Sequence, residues 1–582
     1  MTVQPDIRRR AAPEASAVAA LAGLHPVLAR VLAARGIASP AELATDLAGL
    51  PSPALFAGMD AAVALLAEAV TTGAPVLVIG DYDADGATST ALCVSLLRAM
   101  GGQADFLVPD RFRYGYGLSP EIVEVAAART PKPALLLTVD NGMSSVAGVA
   151  RANALGMRVL ITDHHLPGSE LPAAAAIVNP NQPGCPFPSK MIAGAGVAFF
   201  TMTALRSELR ARGWFTPARP EPNLADALDL VALGTVADVV PLDALNRTLV
   251  AQGLKRMRAG RLRPGIAALV EVGRRSCRRL VAADLGFTVG PRLNAAGRLT
   301  DMAVGIRCLL ATDTQEAAAL AQQLDTLNSE RRLIESDMQQ DALAAVARLR
   351  LDEAALPVGL CLFDAGWHPG VVGILASRIK ERVHRPVIAF APADTGSDEL
   401  RGSARSIPGL HVRDVLDAVA AHHPGLVQRF GGHAMAAGLT LRRGDFPAFA
   451  AAFDAEVRRV LAPEALTAVL WSDGELPPGA IDLPLAETLR DSIPWGQGFP
   501  EPVFDGEFEL LEQRIVGERH LKLTVSTPEA GGRVFDAIHF NADMERWPGS
   551  CRRARLAFRL DVNEFRGMRT PQLVVAAIEA IG

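Results

Sequence analysis

Cysteine is scarce in this chain: six in 582 residues, at positions 93, 185, 277, 308, 361 and 551, with no CxxC pair among them. That scatter excludes a disulfide framework and speaks against structural zinc; it fits free thiols in a reducing compartment, so a cytoplasmic protein is expected. Long apolar runs are missing too. No stretch approaches the ~20 uninterrupted apolar residues of a membrane-crossing helix, and the slightly positive mean hydropathy reflects abundant Ala and Val. The opening "MTVQPDIRRRAAPEASAVAALAGL" is loosely signal-like, but Glu14 and weak hydrophobicity argue against export. Neither charge sign dominates: 58 Lys/Arg against 63 Asp/Glu leave a net charge of −5, so nothing global announces a nucleic-acid protein.

Local charge differs. Residues 251–280, "AQGLKRMRAGRLRPGIAALVEVGRRSCRRL", hold nine Lys/Arg against one Glu. Such a patch suits an enzyme that processes a polyanion, and equally a solvated helical face. The length implies several domains. A helical N-terminal segment is expected over 1–48, with "HPVLARVLAARGI" amphipathic and ending at Gly36. Over 49–311, short apolar runs at 75–80, 104–108, 134–140 and 158–163 alternate with helical segments, which predicts a parallel sheet covered on both faces. Residues 312–350 contain no Gly or Pro. Asp313 with Glu316 resembles a capping box, and Leu320, Leu324, Leu327, Ile334 and Met338 mark one face. A connector helix over 312–351, roughly 50–60 Å long at 1.5 Å per residue, would bridge two lobes. A second α/β lobe follows over 352–460, and five alternating strands over 465–582 predict a small β-barrel of the oligonucleotide-binding type.

"VIGDYDADG" sets Asp81, Asp83 and Asp85 at alternate positions directly after an apolar run, on one side of a chain expected to be extended there. Asp140 closes "ALLLTVD", Asp163-His164-His165 close "RVLITDHH", and Asp238 stands in "VALGTVADVVPL". Ligands of such sheets bind beyond the carboxyl ends of the strands, which is where these clusters fall. Any one Asp at a strand end is ordinarily a turn or cap residue, and the convergence of four clusters is what points to metal. Crowded carboxylates raise one another's proton affinity unless cations compensate. An oxygen-rich set with one or two imidazoles suits Mn²⁺ or Mg²⁺ better than Zn²⁺, and there are ligands enough for two ions sharing a bridging carboxylate.

The segments "GDYDADG", "TVDNG", "TDHH" and "GTVADVVPL" resemble the four ordered motifs of the DHH phosphoesterases. Downstream, "GPRLNAAGRL", "GWHPGVVGILASRI", "RGSARS" and "RFGGHAMAAG" are similar to the RecJ-type branch of that family, bacterial exonucleases specific for single-stranded DNA. The resemblance covers nearly the whole chain. It implies metal ligation by Asp83, Asp85, Asp140, His164 and Asp238, with Asp140 as the bridge and Asp81 as a further ligand or a group behind one. His165 is then placed to touch the scissile phosphate, which completes a catalytic set of Asp83, Asp85, Asp140, His164, His165 and Asp238. One departure stands out: many small members carry a His where this chain has Ile79, which leaves the first metal more dependent on carboxylates.

Arg111, Arg292, Ser403, Arg405 and His433 are the expected phosphate contacts, with Tyr114 and Tyr116 beside Arg111 available for stacking. The glycines of "GGH" at 431–433, ahead of an Ala-rich run expected to be helical, would let main-chain N–H groups approach an anion. Trp367 of "GWHPG" fits a packed turn and a base platform equally. The resemblance further implies 5′→3′ polarity, a role in recombination and repair, a monomer, and work beside single-strand-binding protein and a RecQ-type helicase. Two rivals are a DHH pyrophosphatase or short-oligonucleotide phosphodiesterase, which needs only two lobes, and a non-catalytic DNA-binding scaffold, which predicts lost ligands.

Overall fold

The structure, a computed structural model, describes residues 3–110, 113–114, 116–349, 356–394, 396–477, 479–517, 520–527, 533–542, 547, 551–565 and 567–581. The N-terminal segment is not wholly helical: β1 (Asp6–Arg9) precedes its helices. The amphipathic helix Pro26–Ala33 buries Val27, Leu28, Val31 and Leu32 in the core of the lobe that follows.

That lobe is built on β2 (Val76–Ile79), β3 (Ala104–Leu107), β4 (Leu135–Val139), β5 (Arg158–Thr162) and β6 (Ala176–Val178) in the order β3-β2-β4-β5-β6. Every pairing is parallel. The apolar runs serve both faces. Val76, Val78, Leu135, Leu137 and Leu160 pack on one side with the helices Ala84–Ala99 and Gly194–Ala211. Leu77, Ile79, Leu136, Val159 and Ile161 pack on the other against Leu118, Ile122 and Val123. Continuous hydrophobicity is therefore what this sheet requires. The sequence signal missed the short edge strand β6. Strand order reverses between β2 and β4, so a cleft opens at their carboxyl ends.

The helix Thr314–Leu349 has 36 residues, about 54 Å at the usual rise. Asp313 caps it, its Oδ1 accepting from the N–H groups of Gln315 (3.0 Å) and Glu316 (2.8 Å). Leu324 and Leu327 lie in the core of the first lobe, Met338, Ala342 and Val346 in that of the second, so the helix bridges the lobes as expected. The second lobe holds β7 (Leu360–Phe363), β8 (Val387–Pro392), β9 (Glu399–Arg405), β10 (Arg429–Gly432) and β11 (Ala436–Arg442) in the order β10-β11-β9-β8-β7. Only β7 and β8 run parallel. The Ala-rich run after 433 is thus a strand, because its alternate residues Ala437, Leu439 and Leu441 point into the core. Trp367 is 4% exposed in that lobe, a packed aromatic and not a base platform.

Strand β12 (Val469–Ser472) pairs in parallel with β1. A closed barrel follows: β13 (Phe504–Val516), β14 (His520–Ser526), β15 (Val534–His539), β16 (Arg553–Phe565) and β17 (Met568–Ile581), in the order β13-β14-β15-β17-β16. The barrel core around Phe504, Phe508 and Phe558 is continuous with that of the first lobe through Leu485, Leu489 and Phe499. Arg247 lies over the Phe499 ring at 4.4 Å, and Leu242 N–H donates to the Gln497 carbonyl at 2.7 Å. Among the described residues no single helix is long and apolar enough to cross a membrane. One bent pair, Leu47–Leu55 with Met59–Thr72, passes that test jointly, but Val63, Leu66 and Val70 of its second part are buried in the lobe core.

Candidate metal centre and strand-binding cleft

The acidic residues gather at the reversal point of the first sheet. Asp81 and Asp83 follow β2, and Asp140 follows β4, straddling the cleft. The extended spacing of the triplet ends early. Asp83 is the N-cap of the helix Ala84–Ala99, its Oδ1 accepting from Gly86 N–H at 2.9 Å, so Asp85 lies in the first helical turn. Asp85 also receives the N–H groups of Gly194 (2.6 Å) and Ala195 (3.0 Å) from the start of the helix Gly194–Ala211. Two helix N-termini thus converge on one carboxylate. Asp238 sits at the C-terminal end of the helix Leu228–Ala237, not behind a strand as expected. A carboxylate is disfavoured at that end of a helix dipole and calls for a cation.

His164 Nε2 lies 3.1 Å from Asp140 Oδ1 and 3.5 Å from Asp238 Oδ2. Neither His164 Nε2 nor Asp140 Oδ1 completes a hydrogen bond, although both are buried. Buried polar atoms without partners are costly, and here they face a common point. Ligand atoms of Asp81, Asp83 and Asp140 lie within 4.8 Å of one another, as do those of Asp85, His164 and Asp238, and those of Asp140, His164 and His165.

Electrostatics agree with the geometry. Burial, then the charge of Asp83, lifts the Asp85 pKa to about 7 despite the two helix N–H donors. Burial, followed by the charges of Asp85 and Asp83, pushes Asp140 and Asp238 well above the usual carboxylate range. The histidines separate. Burial, then the charge of His165, drops His164 to about 4, leaving a neutral imidazole able to ligate. Burial would also lower His165, but the charge and hydrogen bond of Asp163 raise it to about 9. Its Nδ1 donates to Asp163 Oδ1 at 2.7 Å. Asp163 opposes its own burial through His165 and stays at about 2. The pair therefore places a neutral ligand beside a cationic ring.

Several members of the site act through contacts that motif reading does not reveal. A Cβ on Gly194 would lie 2.8 Å from Asp140 Oδ1, and one on Gly234 would lie 2.5 Å from Asp85 Oδ1, so only glycine admits the carboxylates there. Asn294 Oδ1 accepts from Ala84 N–H at 2.8 Å and steadies the helix start. Asn181 and Asn179 donate to the carbonyls of His164 (2.6 Å) and His165 (2.9 Å). Tyr116 Oη lies 3.4 Å from His165 Nδ1.

The second lobe closes over this centre. A cavity of about 490 Å³ is lined by Tyr82, Asp83 and Arg298 on one side and by Arg401, Ser403, Arg405 and Arg429 on the other. Arg405 Nη1 donates to Ser403 Oγ at 2.9 Å. Among the described residues no carboxylate pairs with Arg405, whose pKa burial lowers. His433 stacks over His165 with ring centroids 6.2 Å apart. It stands on a hairpin between β10 and β11, with Gly432 at φ 142°, so the helix dipole expected to aid an anion there is absent. Arg292 is 8% exposed, and its guanidinium meets Asp325 (2.7 Å) and the Thr288 carbonyl (2.6 Å), which ties its helix to the connector. Arg111 lies outside the described residues.

A parallel sheet whose reversal point holds this acid–histidine set, faced by a second mixed lobe, defines a DHH phosphoesterase. The family models agree: "DHH family, N-terminal domain" matches 75–235, "DHHA1 domain" 345–459 and "RecJ OB domain" 472–577. The single-stranded-DNA-specific exonuclease RecJ of Dickeya dadantii is 54% identical over 578 residues, 99% of each chain. The crystal structure of RecJ in complex with Mn²⁺ from Thermus thermophilus superposes with a TM-score of 0.79 at 31% identity, over 99% of this chain and 80% of that one. The same protein in complex with Mg²⁺ gives 0.73 at 29% identity, over 99% and 79%. The chain belongs to the RecJ family.

Proposed function

We propose that the chain is a single-stranded-DNA-specific 5′→3′ exonuclease that hydrolyses phosphodiester bonds with two divalent ions and acts in recombination and repair. The observation that carries this is the buried, unpartnered pair Asp140 Oδ1 and His164 Nε2 within a ring of carboxylates. Asp85, His164 and Asp238 form one ligand group and Asp81, Asp83 and Asp140 another, with Asp140 close enough to both to bridge. Divalent ions held there supply Lewis-acid stabilisation and lower the pKa of water. Oxygen ligands with an imidazole favour Mn²⁺, with Mg²⁺ as the substitute.

The chain's own groups do the rest. Cationic His165, oriented by Asp163, meets the scissile phosphate. Ser403, Arg405 and His433 hold neighbouring phosphates without reading sequence, together with Arg111. The 5′ polarity, the monomeric state and the partnership with single-strand-binding protein and a RecQ-type helicase follow from the family resemblance, and the cytoplasmic location from the scattered free cysteines. The same reading divides the chain at 1–48, 49–311, 312–351, 352–460 and 465–582. A pyrophosphatase leaves the connector and barrel without a role, and an inactive scaffold has no need of a complete ligand set. Digestion of end-labelled single- and double-stranded DNA, with Mn²⁺ or chelator, tests the proposal. Loss of label from single strands only, from the 5′ end and only with metal, is expected; an intact single strand overturns it.

A further inference from the structure

Residues Leu285–Val289 form a single π-helical turn, a feature that concentrates at functional sites. Its inner side chains Leu285, Thr288 and Val289 are buried, while Phe287 stands 80% exposed. The turn lies against the end of the helix that delivers Asp238. A Cβ on Gly286 would meet Val236 Cγ1 at 3.2 Å, and one on Gly290 would meet Ala237 Cβ at 3.1 Å. Directly after Asp238, Val239 is 62% exposed and held at φ 63°, an outlier for a β-branched residue.

On its other side the turn abuts the basic segment that stands out in the sequence. A Cβ on Gly273 would fall 2.3 Å from Thr288 Cγ2, so Arg274, exposed and at φ 55°, begins beside the residue that follows Phe287. Arg275 is tied to Asp284 at 3.1 Å, Arg278 is exposed, and Arg279 pairs with Glu564 of β16 in the barrel. The π-turn thus lies between the helix that ends before Asp238 and the start of the basic segment, whose Arg279 reaches the barrel. A solitary exposed aromatic is ordinary on a surface. One seated on a π-turn between a metal-ligand helix and a line of arginines has the composition of a single-strand stacking surface.

We propose that Phe287, beside the basic segment that begins at Arg274, is a stacking platform for a nucleobase of the strand as it passes between barrel and metal centre. This deepens the exonuclease reading and rests on it. Base faces are covered in a duplex and open in a single strand, so the platform adds selectivity to that given by cleft width. The occupant is a nucleobase and not an apolar peptide, because the neighbouring segment, with Arg274 and Arg278 exposed, is cationic and suits a polyanionic strand.

The test is equilibrium binding by fluorescence anisotropy in chelator, paired with steady-state digestion in Mn²⁺. Intact single strands are compared with abasic strands of equal length. Phe287→Ala is expected to weaken binding of the intact strand and raise KM about tenfold, with kcat within twofold. Phe287→Trp restores both, Phe287→Leu does not, and the penalty for abasic strands seen with the parent chain disappears in Phe287→Ala. Equal binding by the parent and Phe287→Ala overturns the platform, as does an undiminished abasic penalty. A silent Phe287→Ala in an active nuclease, with loss of binding to a protein partner, would assign the face to that partner instead. A parent chain that leaves single strands intact refutes the exonuclease reading itself, a separate result.

Discussion

Gly194→Ala perturbs the metal centre without removing any of its acids or histidines. The new Cβ would sit 2.8 Å from both Cβ and Oδ1 of Asp140, where ordinary contact begins at 3.4 Å, so one side must yield by about 0.6 Å. Asp140 has little freedom to do so: it is 2% exposed, held at φ 58°, and its N–H donates to the Thr162 carbonyl at 3.0 Å. If Gly194 retreats instead, its N–H leaves Asp85 Oδ2, which it now meets at 2.6 Å. Either way a carboxylate of the ligand set moves. Overpacking costs roughly 1–3 kcal/mol and the helix preference of Ala over Gly returns about 0.5–1, so the fold survives. Catalysis is less forgiving, since a misplacement of about 1 Å costs on the order of a hundredfold. The expected outcome is a 10–100-fold loss of kcat on labelled single strands, a weaker apparent Mn²⁺ affinity, and little change in thermal unfolding. A folded variant that turns over within twofold of the parent would refute the claim that this close approach positions Asp140.

Asp140→Ala should abolish turnover yet leave most DNA affinity, because the arginines of the cleft and the barrel remain; near-normal turnover in a digestion assay would remove Asp140 as the bridging group. Because the Asp85 pKa is raised to about 7 and cations need the carboxylate deprotonated, Mn²⁺ affinity should fall steeply from pH 8 to pH 6 with proton uptake by the apo site. Calorimetry in buffers of different ionisation enthalpy measures it, and a pH-independent affinity contradicts it. Asp505 joins Arg9 (2.8 Å), Arg555 (2.9 Å) and Ser472, and although burial opposes it, these partners hold its carboxyl below the usual range. A lowered folded-state pKa contributes stability above the unfolded value of about 3.9 and loses it as pH falls through the folded one. Asp505→Asn should therefore cost about 1–3 kcal/mol at pH 7 and flatten the fall in Tm between pH 5 and pH 3; parallel curves would exclude the pair as a source of acid sensitivity.

The catalytic sheet was legible because β2, β4 and β5 are mostly apolar and an acid follows each within two residues, so residue type gives both the strands and the acidic cluster. Asp238 was legible as a member of the acidic cluster but not in its setting, since "VALGTVA" is apolar enough for either strand or helix. Arg292 and His433 show where local reading stops. A guanidinium near a motif does not reveal Asp325, 33 positions along, and "GGHAMAAG" takes strand form only because the lobe core needs its alternate residues. Gly194 and Gly234 act through atoms brought near by folding, so although Gly234 opens "GTVADVVPL", its approach to Asp85 is not written in the spacing. Removing everything after residue 460 also looks clean in the sequence, but the barrel shares one apolar core with the catalytic lobe, so that cut would expose Leu242 and its neighbours.

The parallel pairing of Asp6–Arg9 with Val469–Ser472 joins positions some 460 residues apart. At typical synthesis rates of 5–20 residues per second, the strand Asp6–Arg9 waits roughly 25–90 s for its partner. Throughout that interval its arginines and its unsatisfied backbone edge are available to other chains. The nascent polypeptide thus carries an unpaired strand until Val469–Ser472 emerge, about four-fifths of the way along the 582 residues, and a chaperone or a pause in translation before that point would act on yield more than on the finished enzyme.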